Sequence, residues 1–157
     1  EMTDAEFEQL ETSIQTIADA WRECLGLNSW HILFYYHRDS GAYAYIESGK
    51  DLSAGSKAHT SASWAYLDAA IHFNLSGLMA YTDAELEVVV VHEFMHILVH
   101  EMRSVVNCDC EQFDLRHEER VCTTLQRAFT WTKEHFLNMQ QNGQSIMSSE
   151  GAIPDAG

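Results

Sequence analysis

The sequence predicts an α+β fold: an N-terminal helix, a small and mostly antiparallel sheet, a central helix with two histidines four residues apart, and a following helix with acidic residues near its start. Three observations predict it. Thr3-Asp4-Ala5-Glu6 and Thr82-Asp83-Ala84-Glu85 repeat one helix-start pattern. Between them lie aromatic and β-branched runs separated by stretches rich in Gly and Ser. The longest apolar run, Val88 to Val99, carries His92, Glu93 and His96 inside it.

Thr3 and Glu6 have the spacing of a capping box, in which each side chain satisfies a backbone N–H of the first turn. Phe7, Leu10, Ile14, Ile17 and Trp21 follow at helical intervals, so residues 4 to 25 read as an amphipathic helix. Gly26 and Asn28 end it. Trp30 to Tyr36 is aromatic and β-branched, Asp39-Ser40-Gly41 is a turn, and Ala42 to Ile46 sets tyrosines on alternate positions; together they read as a hairpin. Residues 48–61, rich in Gly, Ser, Lys and Asp, read as a loop. Leu67, Ala69, Ile71, Phe73 and Leu75 then alternate with Asp68, Ala70, His72 and Asn74, the pattern of a strand buried on one face.

The second capping box opens the central helix, which runs to about Met102. Val88-Val89-Val90-Val91 favours a strand by propensity. The cap, the length of the segment and the lack of a breaker decide for a helix. A last helix covers 114–139, and residues 141–157, with Gly, Ser and the one proline, read as a flexible tail. Residues 1–140 are expected to form a single domain.

Of the 157 residues 24 are acidic and 9 basic, a net charge of -15. Binding to phosphate backbones draws on clustered Lys and Arg. The balance therefore disfavours nucleic acid and anionic membranes as partners and suits a basic one. No apolar run reaches the roughly 18 residues of a membrane span, and no basic stretch leads into an apolar one at the start. Cys24, Cys108, Cys110 and Cys122 are then expected as thiols, in a cytoplasmic protein. Cys108-Asp109-Cys110 departs from the usual zinc-ligand spacing, so no second metal site is expected.

The chemistry lies in His92-Glu93-Phe94-Met95-His96. Residues four apart on a helix share one face at about 6 Å, so both histidines can bring a ring nitrogen to one Zn²⁺ at about 2.0–2.1 Å. Glu93 borders that site without displacing either histidine and can take a proton from a zinc-activated water. Two imidazoles and a carboxylate amid Val90, Val91, Phe94, Leu98 and Val99 are costly to bury without a metal or hydrogen-bond partners. His100 lies about 12 Å along the axis from His92, too far for the same ion. A third ligand must come from downstream, where His117, Glu118 and Glu119 stand together. At about 100° per residue, Leu115, Cys122, Leu125, Phe129 and Phe136 fall within about 60° of Glu118. Glu118 is thus the expected third ligand, in the middle of the apolar face, with Glu119 towards solvent and His117 on the opposite flank. No oxyanion-stabilising residue is singled out among Tyr81, His72, His117 and His135.

With these residues the chain resembles the minimal zincins of the ImmA/IrrE-like group, many of them encoded by phages or mobile elements. The likeness spans residues 30–130, and its specific part is His92 to His100 plus Glu118. It implies a zinc-dependent metallopeptidase of the gluzincin kind, with His92, His96 and Glu118 as ligands and Glu93 as catalytic base, acting on a protein or peptide. It also implies that the strand at 67–75 is the sheet edge on which an extended substrate pairs. The chain departs from the group in having Glu118-Glu119-Arg120-Val121 where Glu-Ala-Asn is usual, and a DNA-binding module is not expected in it. SprT-like zincins are similar too, but they act on DNA-bound proteins, which the charge disfavours. Two other functions share the motif: a zinc-stabilised binding module without turnover, and a hydrolase of non-peptide amides. Glu93 speaks against the first, since a structural zinc takes four protein ligands and no base.

Overall fold

Both helix starts form as read. In the computed structural model, which describes residues 3–39, 56–105 and 115–149, the Glu6 carboxylate accepts from the Thr3 N–H at 2.7 Å and the Thr3 hydroxyl accepts from the Glu6 N–H at 3.3 Å. Thr82 and Glu85 make the same exchange at 2.7 and 3.4 Å. The elements follow as α1 (Asp4–Cys24), a 3-10 turn at Leu27–Ser29, β1 (His31–His37), β2 (Ala58–Ser63), β3 (Asp68–Asn74), the one-turn helix α2 (Leu75–Leu78), α3 (Asp83–Val105) and α4 (Leu115–Ser149). Gly26, at φ 69°, turns the chain out of α1 in a conformation that favours glycine. No helix among the described residues is long and apolar enough to cross a membrane.

The four valines of α3 show why the cap outweighs strand propensity. Val90 and Val91 are buried side by side while Val88 is exposed, a helical phase and not a strand alternation. On the sheet, Ala69, Ile71 and Phe73 are buried. Leu10, Ile14, Ala18 and Trp21 of α1 and Val90, Phe94 and Ile97 of α3 belong to the same core. Phe34 of β1 ties the layers together, its ring centroid 6.4 Å from those of both Phe73 and Phe94. Burial of each large side chain contributes about 1.5–3 kcal/mol. This packing fixes the rotation of α3, and with it the direction in which His92, Glu93 and His96 point.

The sheet differs from the expected one in three ways. Its order is β1-β3-β2, with β1 parallel to β3 (His31 opposite Asp68, His37 opposite Asn74) and β2 antiparallel to it (Ala58 opposite Phe73, Thr60 opposite Ile71). It is therefore mixed, not mostly antiparallel; residues 42–46, read as the return strand of a hairpin, lie outside the described residues. Ala58 to Ser61, read as loop, belong to β2, whose inward residues Ala58, Thr60 and Ala62 are too small or too polar to give an apolar alternation. And β3, expected at the edge, is the central strand; β2 is an edge among the described residues. At the other end α4 runs to Ser149, into the stretch read as a tail. A single glycine such as Gly143 costs a helix only about 1 kcal/mol. Residues 150–157 lie outside the described residues.

The opposite face of the sheet carries a histidine pair. His72 Nδ1 is 3.0 Å from His37 Nε2, and the His72 ring stacks on Tyr35 with centroids 4.7 Å apart. Burial, with His37 and His59 adding to it, lowers the His72 pKa to about 4. A free histidine protonates near 6.5, so between these two values the unfolded chain binds a proton that the folded one refuses. This contribution to stability is present above pH 6.5 and is lost as pH falls towards 4. The urea midpoint is expected to drop across that window, and to drop less in His72→Phe, which keeps the stack. An equal drop in both proteins would assign the acid sensitivity to other groups.

Candidate metal centre

α3 sets His92, Glu93 and His96 along the border between its buried face and α4. The Nε2 atoms of His92 and His96 are 3.2 Å apart. From α4, one carboxylate oxygen of Glu119 lies 3.2 Å from His92 Nε2 and the other 3.3 Å from His96 Nε2. A tetrahedral ion with ligands at about 2.0–2.1 Å holds its ligand atoms about 3.3–3.4 Å apart. The two histidine nitrogens thus stand at the spacing of one edge of such a site, with the Glu119 carboxylate against both of them, and imidazole and carboxylate are donors that divalent metals accept. The chain carries a His92/His96/Glu119 group that can hold a metal ion.

Glu118 stands elsewhere. Its Oε1 is 2.8 Å from Nδ1 of His96, on the far side of the ring, and Cys122 Sγ is 3.5 Å from the same nitrogen. His96, Glu118 and Cys122 also form a compact group, but 2.8 Å is a hydrogen-bond length and shorter than a coordination edge. Burial along α4 follows its helical phase: Cys122 is fully buried, and the Glu118 side chain is 14% exposed against 56% for Glu119. The Nε2 atoms of both histidines face the flank of α4 that carries Glu119, and Nδ1 of His96 faces Glu118.

The electrostatics separate the three α3 residues. Glu93 is 6% exposed and accepts a hydrogen bond of 2.7 Å from the Thr60 hydroxyl of β2. Burial pushes its pKa up to about 7; His96 and Thr60 pull it down and Glu119 adds to the rise. Burial also works against a charge on His96, but Cys122, Glu118 and Glu93 outweigh it and hold that pKa up at about 10. His92 moves down, through burial and then the neighbouring His96, against the pull of Glu119. A metal taking Nε2 of both histidines competes with protons for the pair.

His100 belongs to neither metal-holding group. The side chain of His117 and residues 106–114, with Cys108 and Cys110, lie outside the described residues. Cys24 and Cys122 are free thiols. Of the oxyanion candidates, His72 is on the opposite face of the sheet, and His135 stacks on Trp131 of α4 with centroids 4.9 Å apart. Tyr81 precedes α3, with the Lys57 ammonium 5.5 Å from its ring centroid. None of the three belongs to either metal-holding group. Thr60 was not singled out from the sequence. It lies in the stretch read as loop, and only the β2–β3 register brings it over Glu93.

Comparison of the chain with protein-family models, with curated proteins and with solved structures gives no match, so the resemblance to the ImmA/IrrE-like zincins rests on the residues of this site.

Proposed function

We propose that the chain is a zinc-dependent peptidase in which His92, His96 and Glu119 hold the ion and Glu93 is the general base. The observation that carries the reading is the approach of the Glu119 carboxylate to both ring nitrogens, at 3.2 and 3.3 Å through its two oxygens, with those nitrogens 3.2 Å apart; a second, buried carboxylate, Glu93, belongs to neither ligand group. Structural zinc sites close with four protein ligands, whereas catalytic ones take three and leave a position open. Zinc, when bound, lowers the pKa of a water towards about 7 and polarises a carbonyl. Glu93 takes the proton of the attacking water and passes it to the leaving amine, and a pKa near neutrality suits both transfers. Glu118 accepts from Nδ1–H of His96, which fixes the tautomer that presents Nε2 to the ion. The substrate is a peptide segment in extended form, laid along the β2 edge by backbone pairing, and the acidic surface suits a basic one.

Incubating a peptide library with zinc-reconstituted protein tests this. Cleavage is expected, is expected to stop on adding a chelator, and is expected to return with one equivalent of Zn²⁺ per chain. A zinc-loaded protein that cleaves no peptide, or cleavage indifferent to the chelator, overturns the reading.

A further inference from the structure

We propose that Thr60 is a positioning residue for the general base: its hydroxyl holds the Glu93 carboxylate beside the histidines while its own backbone stands on an edge of the sheet. The catalytic consequence rests on the peptidase reading above. The Thr60 hydroxyl oxygen is 2.7 Å from Glu93 Oε2 and 3.3 Å from the carbonyl oxygen of Glu93. A hydroxyl has one proton to donate, and the shorter contact, to the carboxylate, is the stronger. Among the described residues no other side chain hydrogen-bonds to that carboxylate, so its orientation depends on this one contact.

The strand register gives the same residue a second face. Lys57, one position before the pair Ala58–Phe73, accepts at its carbonyl from the Asn74 N–H at 2.9 Å. Backbone direction alternates along an antiparallel pair. His59 and Ser61 therefore turn their N–H and C=O towards β3, and Ala58, Thr60 and Ala62 turn theirs the other way. On that side no further strand is present among the described residues. A peptide paired along β2 would bond to the backbone of Thr60 while the side chain of Thr60 holds the base. Docking and positioning use different atoms of one residue, so a side-chain substitution separates them.

Thr60→Val keeps the β-branched shape and the backbone but removes the hydroxyl; Thr60→Ser keeps the hydroxyl. On a peptide that the zinc-loaded parent cleaves, Thr60→Val is expected to lower kcat by about 10–10²-fold, the scale of a misplaced reacting group. KM should stay within about threefold, because backbone pairing is intact. Thr60→Ser should recover most of the loss. Independently of turnover, a double-mutant cycle of Thr60→Val with Glu93→Ala, read by urea unfolding at fixed saturating zinc, should give a coupling of about fivefold or more in the unfolding constant. A valine variant within threefold of the parent in kcat, an equal loss in valine and serine variants, or a cycle without coupling overturns the proposal. A parent that cleaves nothing while the coupling persists supports the Thr60–Glu93 contact and overturns the peptidase reading instead.

Discussion

Glu119→Ala is expected to weaken zinc binding by roughly 10²–10³-fold, and Glu118→Ala by about 10–10²-fold. Zinc sites with four protein ligands bind with about 10–16 kcal/mol, so one ligand's share is about 2.5–4 kcal/mol. Outer-shell partners of a ligand histidine typically contribute 10–100-fold. The metal-free protein supplies a second axis on which the order reverses. Glu118 is largely buried and 2.8 Å from His96, which at a pKa of about 10 is a cation at neutral pH. Its removal leaves that charge short of a partner and should lower stability by about 1–3 kcal/mol. Glu119, whose side chain is 56% exposed, should change stability by less than about 0.5 kcal/mol. Chelator competition gives the affinities, and urea unfolding of the metal-free variants gives the stabilities. If Glu118→Ala loses more zinc than Glu119→Ala, the roles exchange and the helical-phase argument for Glu118 stands.

What could be read from the sequence, and what could not, divides along the range of the interactions. The two capping boxes, the α1 stripe and the His92/His96 spacing are set within four residues by the chain's own helical geometry, and each appears at its place. The alternation of Ala69, Ile71 and Phe73 is likewise local, and β3 forms there. The strand β2 has no such signal, because the residues it turns inward are Ala58, Thr60 and Ala62. Small side chains leave room for α3, and Thr60 is polar because its partner is Glu93. Strand order is not local either: β1 pairs in parallel with a strand more than thirty positions later, which no hairpin rule detects. The choice between Glu118 and Glu119 depends on how α4 is rotated about its own axis against α3. Apolar periodicity gives the buried face of α4, but the side on which two histidines of another helix converge is a tertiary fact.

The largest loss of activity is expected from Glu93→Gln. Glutamine keeps the size of the side chain and an oxygen for the Thr60 hydroxyl, and it removes the proton acceptor. General-base catalysis commonly contributes about 10²–10⁴-fold, so kcat should fall by at least two orders of magnitude. Zinc affinity should stay within a few-fold, since Glu93 is in neither ligand group. Stability of the metal-free protein provides a check that needs no turnover. The carboxyl of Glu93 has an ordinary value of 4.5 and is raised to about 7 in the fold, chiefly by burial. Between these values the folded protein holds a proton that the unfolded chain has lost, so the parent loses stability as pH rises from about 4.5 to 7. The difference in pKa corresponds to a term on the order of 3 kcal/mol. Glutamine cannot ionise and escapes that loss. The variant should therefore be more stable than the parent at pH 7.5, with the gap closing towards pH 5. A glutamine variant that still cleaves within a few-fold of the parent would hand the proton to another group. One that loses zinc as severely as Glu119→Ala would place Glu93 among the ligands.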